Sequence, residues 1–252
     1  MNMDFERLEP IKHFSFPKTT INLIEPIEDP LVDLVQYSAG KIICDNHYYK
    51  EKIPGSINKC LARKGVADLL MKALRMLPDG YTLKVFDAWR PYEVQYHLYY
   101  DYFTKLADSG QYDSYSISQL KDIAKEFVSY PQKDADISYV HSSGGAIDLT
   151  IVAPDKKALD MGSDFDTFSI ESNTDYFEIS GVRTEACFNR RLLYHIMTES
   201  GFTNLPSEWW HYDYGDVFWA YYTGKPIQYK SLFQADMEVT KNGGIFKKSL
   251  HS

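Results

Sequence analysis

Two short stretches carry residue types that bind metals and move protons. In "HSSGGAIDLT", residues 141 to 150, His141 and Asp148 flank a Ser-Ser-Gly-Gly turn, and in "SEWWHYDYGD", residues 207 to 216, Glu208 stands three places ahead of His211. Imidazole nitrogen and carboxylate oxygen are the donors from which catalytic zinc sites draw three protein ligands, leaving a fourth position for water. His141 and Asp148 from segments meeting at a turn, with His211 from another strand, could supply those three. A carboxylate close to the metal but not bound to it accepts a proton from the attacking water, and Glu208 has that position relative to His211. On a regular strand, side chains three apart face opposite sides, so the pairing requires Glu208 to lie in irregular backbone after Pro206. Each motif also has an ordinary account. Trp209 and Trp210 suit core and pocket wall, since aromatic side chains dominate burial. His13, His47, His97, His195 and His251 are expected to be exposed or paired within helices and loops.

The elements that would position these groups are legible from periodicity. Val66, Leu69, Leu70, Ala73, Leu74 and Leu77 fall at helical spacing and stop at Pro78-Asp79-Gly80. Tyr81, Leu83 and Val85 alternate as a strand ending in Asp87-Ala88-Trp89-Arg90, and Pro91 suits the first turn of a helix reaching about Leu106. Arg90 thus sits where a strand gives way to a helix, suited either to an ion pair with Asp87 or to a site. Ser116 and Gln119 form a capping box for a third helix with the face Leu120, Ile123, Ala124, Phe127 and Val128. Ser142 to Gly145 is turn chemistry between extended segments, and Ala146 to Val152 alternates as a strand. A further helix spans about Ala186 to Ser200, closed by Gly201; Trp209 to Tyr214 reads as a strand, and Gly224-Lys225 as the turn of a last hairpin. Tight turns between strands point to an α+β fold with a central, mainly antiparallel sheet flanked by helices.

The 252 residues are 44% hydrophobic, enough for a substantial core, and without a linker or repeat they read as a single catalytic domain, core about 20 to 235, with terminal extensions. A net charge of -8 without a Lys/Arg cluster argues against nucleic acid and anionic membrane surfaces as partners and for a small substrate. The oligomeric state is not set by any of this. The opening "MNMDFERLEP" has neither a basic nor an apolar leader region, and no stretch approaches ~20 apolar residues, so the expected address is the cytoplasm. Cys44, Cys60 and Cys187 fit no C-x-x-C pattern and are expected to be reduced thiols.

Taken in order, "VFDAWRP", "HSSGGAIDLT" and "EWWH" resemble the zinc D-alanyl-D-alanine dipeptidases, a branch of the D,D-peptidases, over about Asp33 to Tyr229. "MGSDFDTF", residues 161 to 168, resembles the M-G-x-x-F-D segment of that branch. The resemblance implies a D,D-peptidase/hedgehog-like fold and zinc held by His141, Asp148 and His211, the matches to H-x-x-G-x-A-x-D and E-x-W-H. It implies Glu208 as catalytic base, Arg90 as the group stabilising the carbonyl oxygen, and Asp166 as the carboxylate facing the ammonium of D-Ala-D-Ala. The chain departs from the pattern at Tyr139, where the family often has serine, and at Ser143, where it often has arginine. The alternatives are a D,D-carboxypeptidase or peptidoglycan endopeptidase of the same fold, or a zinc-stabilised binding module without turnover. Glu208 and Arg90 weigh against the last.

Overall fold

The computed structural model describes residues 7–18, 21, 23–134, 136–167 and 169–233, together with the backbone of two strands near the C-terminus. Nine strands, β1 (Leu31–Asp33), β2 (Ile43–Cys44), β3 (Leu61–Arg63), β4 (Thr82–Asp87), β5 (Ala146–Val152), β6 (Thr203–Asn204), β7 (His211–Asp213), β8 (Met237–Val239) and β9 (Ile245–Lys247), form two sheets among the described residues. One runs β3-β1-β9-β8 and the other β2-β4-β5-β7-β6. In the second, only the β2–β4 pair is parallel. The helices include three short ones, α1 (Leu34–Tyr37), α2 (His47–Lys50) and α6 (Tyr176–Ser180), beside longer elements, and the expected α+β architecture is the one observed.

The five-stranded sheet carries the site because its middle strand has two different faces. Every residue of β5 is buried. Ile147, Leu149 and Ile151 join Leu83 and Val85 of β4 in the main core, where α3 (Lys64–Met76) and α7 (Glu185–Ser200) add Val66, Leu70, Leu192, Leu193 and Ile196. Full burial of such a side chain contributes about 1.5–3 kcal/mol, so this packing fixes which way the strand faces. Asp148, between Ile147 and Leu149, is thereby turned to the opposite side.

A bulge does the same for β4. Val85 lies across from Leu149, but Asp87 lies across from Asp148, so Phe86 and Asp87 together oppose one residue of β5. In a regular strand of the same length Asp87 would follow Leu83 and Val85 into the core; with the bulge, the carboxylate reaches the face that holds Asp148.

The helices predicted from periodicity are present with near-identical bounds. α4 (Tyr92–Asp108) starts after Pro91, and α5 (Ile117–Phe127) has the full Ser116–Gln119 capping box. Three local expectations are corrected. The last hairpin is replaced by a helix, α8 (Val217–Thr223): the Asp216 side chain accepts from Trp219 N at 3.0 Å, and Gly224 at φ 70° closes it in the left-handed region. Aromatic residues of high strand propensity had masked a helix whose signal lies in its two caps. The strand expected over Trp209 to Tyr214 contracts to His211–Asp213, because Trp209 and Trp210 complete a turn. No strand precedes the Ser142–Gly145 turn; the chain there winds through a short 3-10 turn, His141–Ser143.

The cysteine expectation is also corrected for two of the three residues. Cys44 at the end of β2 and Cys60 just before β3 form a disulfide, their Cα atoms 5.7 Å apart, while Cys187 is free and buried. Their 16-residue separation signals nothing in sequence; proximity comes from the sheet, where Cys44 lies beside Val85 and Cys60 Sγ is 3.7 Å from the Val85 carbonyl. Cross-linking a loop of this size restricts the unfolded chain by about 3 kcal/mol. Thiol titration of the unfolded, unreduced chain is expected to find one reactive thiol, and all three after reduction. Three before reduction would show the bond open.

Candidate active site

His211 and Asp148 meet because they are directly paired across β7 and β5, on the face away from the core. His211 Nδ1 is 2.9 Å from one Asp148 oxygen, and His141 Nε2 is 3.3 Å from the other. His141 arrives from the 3-10 turn. That turn ends at Gly144, φ 75°, where a Cβ would meet Leu31 Cδ2 at 2.6 Å, and at Gly145, where it would meet the Tyr214 carbonyl at 2.5 Å. The two glycines let the chain fold back tightly enough to set His141 beside the strand it precedes.

Each ring is held from behind. His141 Nδ1 lies 2.8 Å from the Ala88 carbonyl and 3.4 Å from Asp87 Oδ2, and His211 Nε2 lies 2.8 Å from Asp213 Oδ1. This leaves Nε2 of His141 and Nδ1 of His211 facing Asp148, and the three donor atoms lie within 4.8 Å of one another. All three residues are buried. A carboxylate or carbonyl behind each imidazole is the outer-shell arrangement that fixes tautomer and orientation in metal centres. The donor set fits a metal ion.

Electrostatics follow from burial and from the crowd of opposite charges. Burial opposes ionisation of Asp148, yet His141 and His211 hold its carboxyl well below the usual carboxylate range. Burial opposes the imidazolium of His211 too, but Asp213 and Asp148 raise its pKa well above the ordinary value. For Asp216, burial and then Asp213 push the carboxyl well up, so it keeps its proton beside the carboxylate that supports His211.

Glu208 lies in the turn after Pro206, where Glu208 N donates to the Leu205 carbonyl at 3.1 Å and Asn204 Nδ2 donates to the Glu208 carbonyl at 3.1 Å. The irregular backbone turns its carboxylate toward His211, with Oε2 at 3.8 Å from Nδ1. Its side chain is 28% exposed, opening on the cavity, but otherwise enclosed. Burial pushes its pKa up to about 7, with Asp148 and Asp166 adding to the shift and the two histidines opposing it.

Arg90 is 11% exposed and lies beside the same cluster. Its Nε donates to Asp87 Oδ2 at 2.8 Å, Nη1 to Gln95 Oε1 at 2.8 Å and Nη2 to the Tyr48 hydroxyl at 3.3 Å; Nη2 is also 3.7 Å from Asp148. The ion pair with Asp87 and the place in a site therefore coexist. Asp166 has φ 61°, in the left-handed region that aspartate tolerates better than most residues. Burial raises its pKa, against the pull of Arg90. Beside it Phe165 stacks on Phe86 at 4.6 Å and meets Trp210 edge-on at 5.4 Å.

His141, Asp148, His211, Glu208, Arg90 and Asp166 all line one cavity of about 550 Å³. Trp210 is in its wall, and Trp209 belongs to the core beneath. Of the other histidines, His13 pairs with Asp175, His195 with the Glu9 carbonyl and His97 packs against Tyr96, whereas His47 meets Phe165 edge-on at 5.1 Å beside Asp166; His251 is outside the described residues. Sequence reasoning missed Tyr48, Gln95, Asp213 and Ser138. Ser138 lines the cavity with a buried hydroxyl that has no hydrogen-bond partner among the described residues. It precedes Tyr139, the position where the resembled pattern often has serine, a proximity visible in the sequence.

Buried nitrogen and oxygen donors facing a cavity, with a carboxylate and a guanidinium beside them, define a metal-dependent hydrolase. The family model for D-ala-D-ala dipeptidases matches residues 33–229, and the chain belongs to that family. A D-alanyl-D-alanine dipeptidase of Synechocystis is 30% identical over 63% of this chain and 71% of its own length. One of Enterococcus faecium is 29% identical over 73% and 88%, and one of Escherichia coli 30% over 62% and 67%. Among solved structures, VanYB in complex with D-Alanine-D-Alanine aligns at 18% identity and a TM-score of 0.40, over 68% of this chain and 83% of that one.

Proposed function

We propose that the chain hydrolyses D-Ala-D-Ala to free D-alanine, with zinc held by His141 Nε2, an Asp148 oxygen and His211 Nδ1. The observation that supports the reading best is the presence of these three donors, Glu208 and Arg90 in one cavity; the dipeptidase relatives support the substrate. When bound there, zinc supplies a Lewis acid for the scissile carbonyl and for water at neutral pH. Glu208 accepts a proton from the attacking water and returns it to the leaving amine, and a pKa near 7 suits both transfers. Arg90 directs its fork to the oxygen on which charge develops. Asp166 faces the substrate ammonium, so a free dipeptide is preferred to a chain extended at that end, and the unpartnered Ser138 hydroxyl is available to the terminal carboxylate. A single catalytic domain carries all of these groups.

One observation favours the D,D-carboxypeptidase reading as second. The cavity continues along α4 as far as Lys105 and along α5 to Lys125 and Phe127. A volume of this size is in the ~300–1,000 Å³ range of pockets for drug-sized ligands. As to compartment, no helix among the described residues is long and apolar enough to cross a membrane. The Cys44–Cys60 bond weighs against the cytoplasmic expectation, since disulfides persist where the surroundings are oxidising.

Release of D-alanine from D-Ala-D-Ala, from its L,L isomer and from a muramyl pentapeptide, with and without chelator, tests the reading. The D,D dipeptide alone is expected to be cleaved, with activity lost to chelator and restored by zinc. Comparable release from the pentapeptide would move the assignment to the second reading. His141→Ala is expected to lose both metal and activity, and a variant retaining its full zinc content would remove the ligand assignment.

A further inference from the structure

Arg90 stands between two carboxylates that compete for it. Asp87 holds Nε at 2.8 Å, and Asp148 lies 3.7 Å from Nη2. Paired ionic hydrogen bonds between guanidinium and carboxylate are the strong ones. Left to these two groups, the fork would close onto Asp148, occupying an oxygen needed by a metal and turning its N–H groups away from the cavity. Two neutral groups hold it off: the Tyr48 hydroxyl on Nη2 at 3.3 Å, with the guanidinium over the Tyr48 ring at 4.8 Å, and the Gln95 amide on Nη1 at 2.8 Å.

Gln95 is suited to this because its own orientation is fixed. It sits in the first turns of α4, and its Nε2 donates to the Ser129 carbonyl at 2.8 Å. Turning the amide over would set NH2 against guanidinium and oxygen against carbonyl, losing both bonds. Ser129 follows α5 and begins the stretch that leads through Tyr139 to His141, so the amide ties α4, the guanidinium and this wall of the cavity together. An amide oxygen accepts a hydrogen bond without cancelling the positive charge, which a carboxylate at this place would do.

We propose that Gln95 is a positioning residue for the reaction, clamping Arg90 so that its fork stays open to the cavity and off Asp148. This rests on the reading of Arg90 as the group that faces the developing oxyanion. The test is Gln95→Met, close in length and without polar atoms, made alone and combined with Arg90→Ala, with kcat, KM, zinc content and melting temperature measured for each. A misplacement of ~1 Å at a reacting group costs on the order of 10²-fold, so Gln95→Met is expected to lower kcat by at least about tenfold with KM within about threefold. In the Arg90→Ala background the same substitution is expected to change kcat by less than about twofold, because its effect passes through the absent guanidinium. Equal losses in both backgrounds, or a wild-type rate for Gln95→Met beside a crippled Arg90→Ala, would overturn the clamp alone. A full-rate Arg90→Ala enzyme would overturn the oxyanion reading and the clamp with it. A Gln95→Met protein that is poorly folded is recognised by its melting temperature; Gln95→Asn, which keeps the amide but shortens the reach, then gives the same comparison.

Discussion

Replacing Glu208 with glutamine is expected to lower turnover on D-Ala-D-Ala by ~10²-fold or more while zinc content and melting temperature stay at wild-type values. The amide preserves size and hydrogen-bonding length but cannot accept the proton. The carboxylate opens on the cavity and sits 3.8 Å from His211 without being one of the three clustered donors, so its removal leaves the metal set intact. The pH profile sharpens the test. A base works as the carboxylate, and burial raises its pKa to about 7, so the wild-type rate falls as pH drops through that region. A cation nearby moves the midpoint lower without changing the sign, and the residual rate of Glu208→Gln should show no such acid limb. A variant within about threefold of wild type at equal zinc content would remove Glu208 from the chemistry, being far below the effect of losing a general base.

Arg90→Lys is expected to lower kcat by on the order of 10²- to 10³-fold, the usual cost of removing one preorganised donor from a developing oxyanion. Lysine keeps the charge and loses the planar fork, which here makes three separate hydrogen bonds to Asp87, Gln95 and Tyr48. An ammonium cannot satisfy all three and still face the cavity. Stability should change far less than rate, because the main core lies on the other face of the sheet. A normal rate with a lowered melting temperature would make Arg90 a structural ion-pair partner of Asp87.

The parts of this molecule that were legible in sequence are those written in local periodicity and caps. The α3 stripe, the capping box at Ser116 and the Gly201 stop belong to single elements, and each formed as its residues dictate. Motif spacing and family resemblance single out six candidate site residues, and all six line one cavity. Groups that act through distant neighbours were not legible. Nothing near Gln95 marks it as a partner of Arg90 and Ser129, and nothing near Cys44 announces Cys60, because both pairings exist only once the sheet has formed. The helix Val217–Thr223 was hidden for the opposite reason, its local composition favouring a strand while its caps and tertiary packing chose otherwise.

The extra residue in β4 makes the metal-facing side of that strand a matter of counting. Closing the bulge at unchanged length, so that Phe86 faced Asp148, would carry Asp87 into the apolar layer with Val85 and withdraw from both His141 and Arg90 the carboxylate they share, whereas deleting Phe86 would set Asp87 directly after Val85 and so still on the cavity side. Deletion of Phe86 should therefore cost the ring stacked on Phe165 but leave unchanged the side on which Asp87 lies. In a lineage, an alignment gap at Phe86 of a relative therefore signals a regular strand that presents the same carboxylate to the centre, and a length change there is compatible with an unchanged site.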